Sequence, residues 1–115
     1  MTRSTLFLLP PGFVDRGRRE FCPEFAEIWG FLHYYPAIRE ALDIRYETLA
    51  HPRAALVGLL GEGRWNCPTL ILSEDAPETD SAAIKTANGR RYLGSAREIA
   101  RYFAGVYGTP FPRGS

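Results

Sequence analysis

The sequence predicts one α/β domain built on a mixed sheet, with elements in the order β-α-β-α-β-β-α and helices on both faces. Three observations carry that expectation. A short, almost wholly apolar run, STLFLL at Ser4–Leu9, reads as a buried strand. Two later stretches repeat their apolar residues at helical spacing, and a strand-forming segment at Ile84–Leu93 is split by Asn88-Gly89. Strand, helix, strand at the start implies a parallel pair joined by a crossover, and the late Asn-Gly turn adds an antiparallel hairpin.

Element by element, the first strand is closed by Pro10-Pro11-Gly12, and the polar GFVDRGRRE that follows reads as a loop. Pro23 suits the first turn of a helix, where a missing N–H is not needed. Phe25, Ile28, Trp29 and Leu32 then fall at i, i+3, i+4 and i+7, one apolar face, and Pro36 ends or kinks the helix before a further turn at Ala37–Leu42. Ile44, Tyr46 and Thr48 alternate with Asp43, Arg45 and Glu47, the pattern of a half-buried strand. Pro52 opens a short helix that runs through Leu60 and stops at Gly61. PTLIL at Pro68–Leu72 is a third strand, SEDAPETDS a polar loop, and two short strands flank Asn88-Gly89. The last helix has Ser95 and Glu98 in capping-box spacing, with Ile99, Tyr102, Phe103 and Val106 on one face before Gly108.

Composition narrows the function classes. The chain has 115 residues, enough to bury one core without staples, with no internal repeats or low-complexity linkers. Hydrophobic residues make up 45% and charged residues 23%, as in an ordinary globular domain, and the formal charge is +1. That balance gives no support to a nucleic-acid or membrane-surface role, which needs a basic excess on one face. The only apolar run near the N-terminus, Leu6–Pro10, is shorter than the roughly 7–15 residues of a signal peptide core or the roughly 20 of a membrane span. The expected location is therefore cytoplasmic, where two cysteines are free or reactive thiols rather than a staple.

The chemistry-bearing segment is REFCPEFAEIWG, Arg19–Gly30. Cys22 falls at the N-cap or first turn of its helix, where free N–H groups and the helix dipole favour an anionic sulfur. Arg18 and Arg19 add to that field, while Asp15, Glu20 and Glu24 offset it. The alternative is a half-buried cysteine packing as a small hydrophobe, and the residues alone leave both readings open. The position three residues on, where a two-thiol motif carries its second cysteine, is Phe25.

FCPEF at the first helix and CPTLIL opening the third strand, in this order of elements, resemble the thioredoxin fold. Within it, TLFLLPPGF, REFCPEFAEIWG, NCPTLIL, IKTANGRRYL and TPFPRGS are similar to an uncharacterised bacterial family known only as a domain of unknown function. The resemblance covers nearly the whole chain and implies a single thioredoxin-like domain over residues 1–115. It further implies a cis proline at Pro68, facing Cys22 and shaping the substrate face. Cys67, just before that proline, is implied to lie beside Cys22, either as a second redox thiol or as a buried small residue. Glutathione is the other candidate for the missing thiol. The resemblance would put its backbone contact at Cys67 and its γ-glutamyl carboxylate at Gly94, Ser95 and Ala96. Gly94-Ser95 departs from the acidic-serine pair usual there, and Ser95 is explained sufficiently as an N-cap, the favoured reading.

The leading expectation is a thiol-disulfide oxidoreductase, or glutathione-linked thiol enzyme. Cys22 is its nucleophile, and Cys67 or an external thiol resolves the mixed disulfide. Its partner is a small thiol or disulfide, or a protein disulfide, and no other cofactor is expected. The alternative is a non-catalytic thioredoxin-like module that binds an unknown ligand in the same groove. Around the site, Arg16, Arg18 and Arg19 form the basic cluster that either contacts a substrate anion or stays solvated. Trp65 either lines the site or covers the core edge. Arg90 and Arg91 read as a solvated hairpin edge. His33, eleven residues and about 16 Å up the helix from Cys22, is too far to serve as its base. His51 has no recognisable partner, and no zinc-ligand spacing exists. GEGR at Gly61–Arg64 follows a helix instead of a strand and lacks a phosphate loop's ending.

Overall fold

The computed structural model describes residues 3–115. In chain order the elements are β1 (Thr5–Leu8), β2 (Phe13–Asp15), β3 (Arg18–Glu20), α1 (Pro23–Tyr34), α2 (Pro36–Glu40), β4 (Asp43–Tyr46), α3 (Ala54–Leu60), β5 (Thr69–Ile71), β6 (Lys85–Ala87), β7 (Arg90–Leu93) and α4 (Ala96–Tyr107). Five strands form a mixed sheet in the order β4-β1-β5-β7-β6, and β2 and β3 form a separate two-stranded ribbon. β1 runs parallel to β4, with Leu6 opposite Ile44, and antiparallel to β5, with Leu6 opposite Leu70. All four residues of β1 and all three of β5 are buried, so the sheet centre is covered on both faces.

The helices supply that cover as their spacing predicts. Phe25, Ile28 and Leu32 of α1 are buried, as are Leu56 and Leu60 of α3 and Ile99, Tyr102 and Phe103 of α4. Each such side chain contributes about 1.5–3 kcal/mol by leaving water. α1 packs on α4, where the rings of Phe31 and Phe103 stack at 5.9 Å. α4 starts as predicted, with Ser95 Oγ accepting the Glu98 N–H at 3.2 Å. Only half of the capping box forms, because the Glu98 carboxylate instead accepts the Ala83 N–H of the preceding loop, at 2.8 Å. Gly108, in the left-handed conformation, ends the helix.

Five expectations need correction. GFVDRGRRE is a β-hairpin rather than a loop. Its turn residues, Arg16 and Gly17, have φ of 52° and 78°, matching Asn88 (50°) and Gly89 (72°) in the other hairpin. The strand predicted over Asp43–Leu49 ends at Tyr46, which is exposed on an edge strand, so the polar-apolar alternation outruns the burial. α3 starts at Ala54, and Pro52 lies outside it. Trp29 belongs to the rim, partly buried, with the Arg39 guanidinium 5.4 Å from its ring centre.

Arg91, finally, is no solvated edge residue, since β7 lies between β5 and β6. Its guanidinium donates to the carbonyls of Ser73 and Ala76, both at 2.9 Å, and pairs with Glu78 at 2.7 Å. With the Tyr102 hydroxyl, which donates to Pro77 O at 2.8 Å, Arg91 straps the loop after β5 against α4. Gly105 of α4 admits that strap, because a Cβ there would run into Thr79 and Ser81.

Candidate functional site

Cys22 is the N-cap of α1, with extended backbone angles and half-buried surroundings. Its carbonyl accepts the Phe25 and Ala26 N–H groups at 3.0 and 3.2 Å, and Pro23 holds the first helical position. The side chain makes no capping hydrogen bond, which leaves the sulfur uncommitted at the helix start. β3 ends two residues earlier at Glu20, so the hairpin delivers Phe21 and Cys22 to the helix, and Phe21 stays 63% exposed. A cavity of about 130 Å³ adjoins Cys22, walled by Leu9, Pro10, Phe21, Phe25 and Trp29 among others.

Cys67 is buried just ahead of β5, and both cysteines are free thiols. The Cys67–Pro68 peptide bond is cis, as is His51–Pro52. Burial pushes the Cys67 thiol from an ordinary 9.0 up to about 11. The Arg53 guanidinium, by charge and hydrogen bonding, pulls it part of the way back, while the Glu47 carboxylate and a charge on Cys22 push it further. Cys22 packs, partly buried, against the core cluster that contains Cys67. Pro68 is fully buried, so its ring backs the site instead of offering an open face.

Four sets of side-chain ties build this corner. Asn66 Nδ2 donates to Gly94 O at 3.0 Å, linking the Cys67 loop to the start of α4. The Glu24 carboxylate, one turn into α1, accepts the Ala96 N–H at 3.4 Å, and Glu27 pairs with Arg97 at 2.8 Å. Arg53, itself buried, donates from all three guanidinium nitrogens to backbone carbonyls: Thr48 at 2.9 Å, Trp65 at 3.0 Å and Leu49 at 3.1 Å. A buried cation without such partners would cost several kcal/mol, and three carbonyl dipoles meet the cost here.

The remaining predicted residues fall as follows. Ser95 lies at this corner, with its hydroxyl engaged as the α4 cap. Trp65 covers the core edge, donating its indole N–H to Gly61 O at 2.7 Å and meeting Tyr92 edge-on at 5.5 Å. Arg19 is exposed on β3 opposite Val14, outside this network, and Arg18 pairs with Glu20 at 2.6 Å. His33 is exposed, and the Nδ1 of His51 is buried without a partner.

Residues 3–111 match the model of a family described as Protein of unknown function (DUF3088). The chain belongs to this family. In this DUF3088 chain the match takes in both cysteines, Arg53, Glu24 and the start of α4, so the whole candidate site lies inside the shared region. No curated protein and no solved structure matches the chain. No helix among the described residues is long and apolar enough to cross a membrane.

Sequence reading missed Arg53 and the role of Glu24. Arg53 left a signal. It occupies the N-cap of α3, where a cation opposes the helix dipole and cannot cap, so another task holds it there. Glu24 left none, because its partner stands 72 positions away.

Proposed function

We propose that this DUF3088 chain is a thioredoxin-like thiol-disulfide oxidoreductase that uses one cysteine, Cys22, as its nucleophile. The fold reading is supported by the parallel β1–β4 pair, by β5 antiparallel beside β1, and by β7 beside β5 followed by α4. Fold alone does not assign activity. The observation that carries the activity is the half-buried Cys22 at the start of α1, its side chain free of any capping hydrogen bond and opening on a cavity.

The chemistry is thiolate exchange. Cys22 Sγ attacks one sulfur of a disulfide; the new S–S bond forms as the old one breaks, and the displaced thiolate leaves and takes a proton from water. A second thiolate then attacks the mixed disulfide and frees Cys22. Cys67 suits that second step poorly. With a pKa of about 11, roughly one Cys67 in ten thousand is ionised at pH 7. The resolving thiol is therefore external, a small thiol reductant, and Cys67 serves as a neutral wall behind Cys22.

The test is steady-state reduction of bis(2-hydroxyethyl) disulfide in the presence of a small thiol. Wild type and Cys67→Ala are expected to turn over, with Cys22→Ser at the uncatalysed rate. Turnover retained by Cys22→Ser would remove the reading.

A further inference from the structure

The surroundings of Cys22 bear on which disulfide it would meet. Pro68 and Cys67 are buried, so approach from their side is closed. The opening beside the sulfur is the cavity walled by Leu9, Pro10, Pro11, Phe21, Phe25 and Trp29, all apolar. At about 130 Å³ it is close to the roughly 150 Å³ that takes one benzene ring, and too small for a tripeptide. Phe21 at its edge is 63% exposed, a large apolar side chain left in water next to the reacting atom.

Two positions after Cys22 in the chain, α1 carries an acidic side chain, Glu24. The first N–H groups of a helix attract carboxylates, and at the start of α4 the Ala96 N–H is already taken by Glu24, two residues from Cys22. The position where a substrate carboxylate would gain most is thus filled from within the chain, and the filling group repels a second anion. Nearby cations do not reverse this. Arg53 is buried with its guanidinium nitrogens taken by three carbonyls, Arg18 is paired with Glu20 and Arg97 with Glu27, Arg39 stands over Trp29, and Arg16 and Arg19 lie out on the hairpin. Building on the proposed activity, we infer that the group carried into the site on the reacting sulfur is small, apolar and uncharged. Leu9, Phe21 and Trp29 would hold it, and Glu24 would turn away carboxylate-bearing disulfides such as that of glutathione.

Charge and bulk are read separately by alkylating Cys22 with iodoacetamide, N-benzyl iodoacetamide and iodoacetate. The modified residue is identified by mass spectrometry, and each rate is normalised to that of a free cysteine amide. The benzyl probe is expected to lead iodoacetamide by about tenfold, the effect of burying about 60 Å² of apolar surface. Iodoacetate is expected to trail iodoacetamide by about fivefold, the size of a partly screened charge repulsion. Glu24→Gln should close the iodoacetate gap and Trp29→Ala the benzyl gap, each leaving the other gap in place. Wild-type rates alone suffice to overturn the inference: a benzyl probe no faster than iodoacetamide, or iodoacetate keeping pace with it, contradicts the substrate class. Alkylation needs no turnover, so the two failures are distinguishable. Selectivity in a protein that reduces no disulfide removes the proposed activity, and turnover without selectivity removes only the substrate class.

Discussion

Cys22 and Cys67 share one corner of the molecule and are held there in opposite ways. Cys22 sits at a helix start, half-buried, its sulfur uncommitted and next to an open cavity. Cys67 is buried under the same corner, and its surroundings hold it as a neutral thiol. The same element, placed directly before a proline in each case, has become a candidate nucleophile at one position and packing at the other. The difference lies in water access and in which backbone groups are left free, and it can be attacked experimentally from several sides.

The largest expected effect is on accessibility. In the folded protein iodoacetamide should modify Cys22 at least about a thousandfold faster than Cys67, because Cys67 reacts only when the corner opens at a cost of several kcal/mol. Comparable rates at the two residues, read by peptide mass spectrometry, would erase the contrast.

Next in size is Arg53, whose three hydrogen bonds tie the Thr48–Leu49 segment to Trp65 ahead of Cys67. Arg53→Met leaves those carbonyls unpaired and is expected to cost about 3 kcal/mol in urea unfolding, while speeding Cys67 alkylation. Arg53→Lys should rescue little, since an ammonium cannot reach three separated carbonyls as a guanidinium fork does.

The smallest effect is alkaline. Folded Cys67 keeps its proton up to about pH 11, whereas the unfolded chain releases it near 9.0. Between those values the folded state binds the extra proton, so stability is intact below pH 9 and declines as pH rises towards 11. Tyr102, raised in the same direction by burial, adds to the decline. The thermal midpoint of Cys67→Ala should therefore fall less steeply over that window than that of wild type. Parallel slopes would mean that Cys67 is not held neutral by the fold.

Much of the fold was legible because its strongest elements announce themselves locally. α4 declared its start through Ser95, its buried face through Ile99, Tyr102 and Phe103, and its end through Gly108. Asn88-Gly89 marked one hairpin. The other turns through Arg16-Gly17 with the same backbone conformation, yet an arginine at the first position carries no such signature, and its flanking strands face solvent on most sides. Cys22 and Cys67 were both visible through the proline that follows each. What was hidden is how the corner is tied: Glu24 to Ala96, Asn66 to Gly94, and Arg53 to Thr48, Leu49 and Trp65. Most of these join separate segments by one side-chain hydrogen bond each, and no periodicity encodes such a tie. The same blindness misread Arg91, which stands on the interior strand β7 and finds its partners in the loop after β5.

The account turns on Cys22 acting as a single reactive sulfur, and trapping tests that most directly. The protein is incubated with bis(2-hydroxyethyl) disulfide and no reductant, quenched in acid and mapped by mass spectrometry. The expected product is one mercaptoethanol adduct per chain, on Cys22, with Cys67 still a free thiol. An adduct on Cys67, or a Cys22–Cys67 disulfide in place of the adduct, would contradict it.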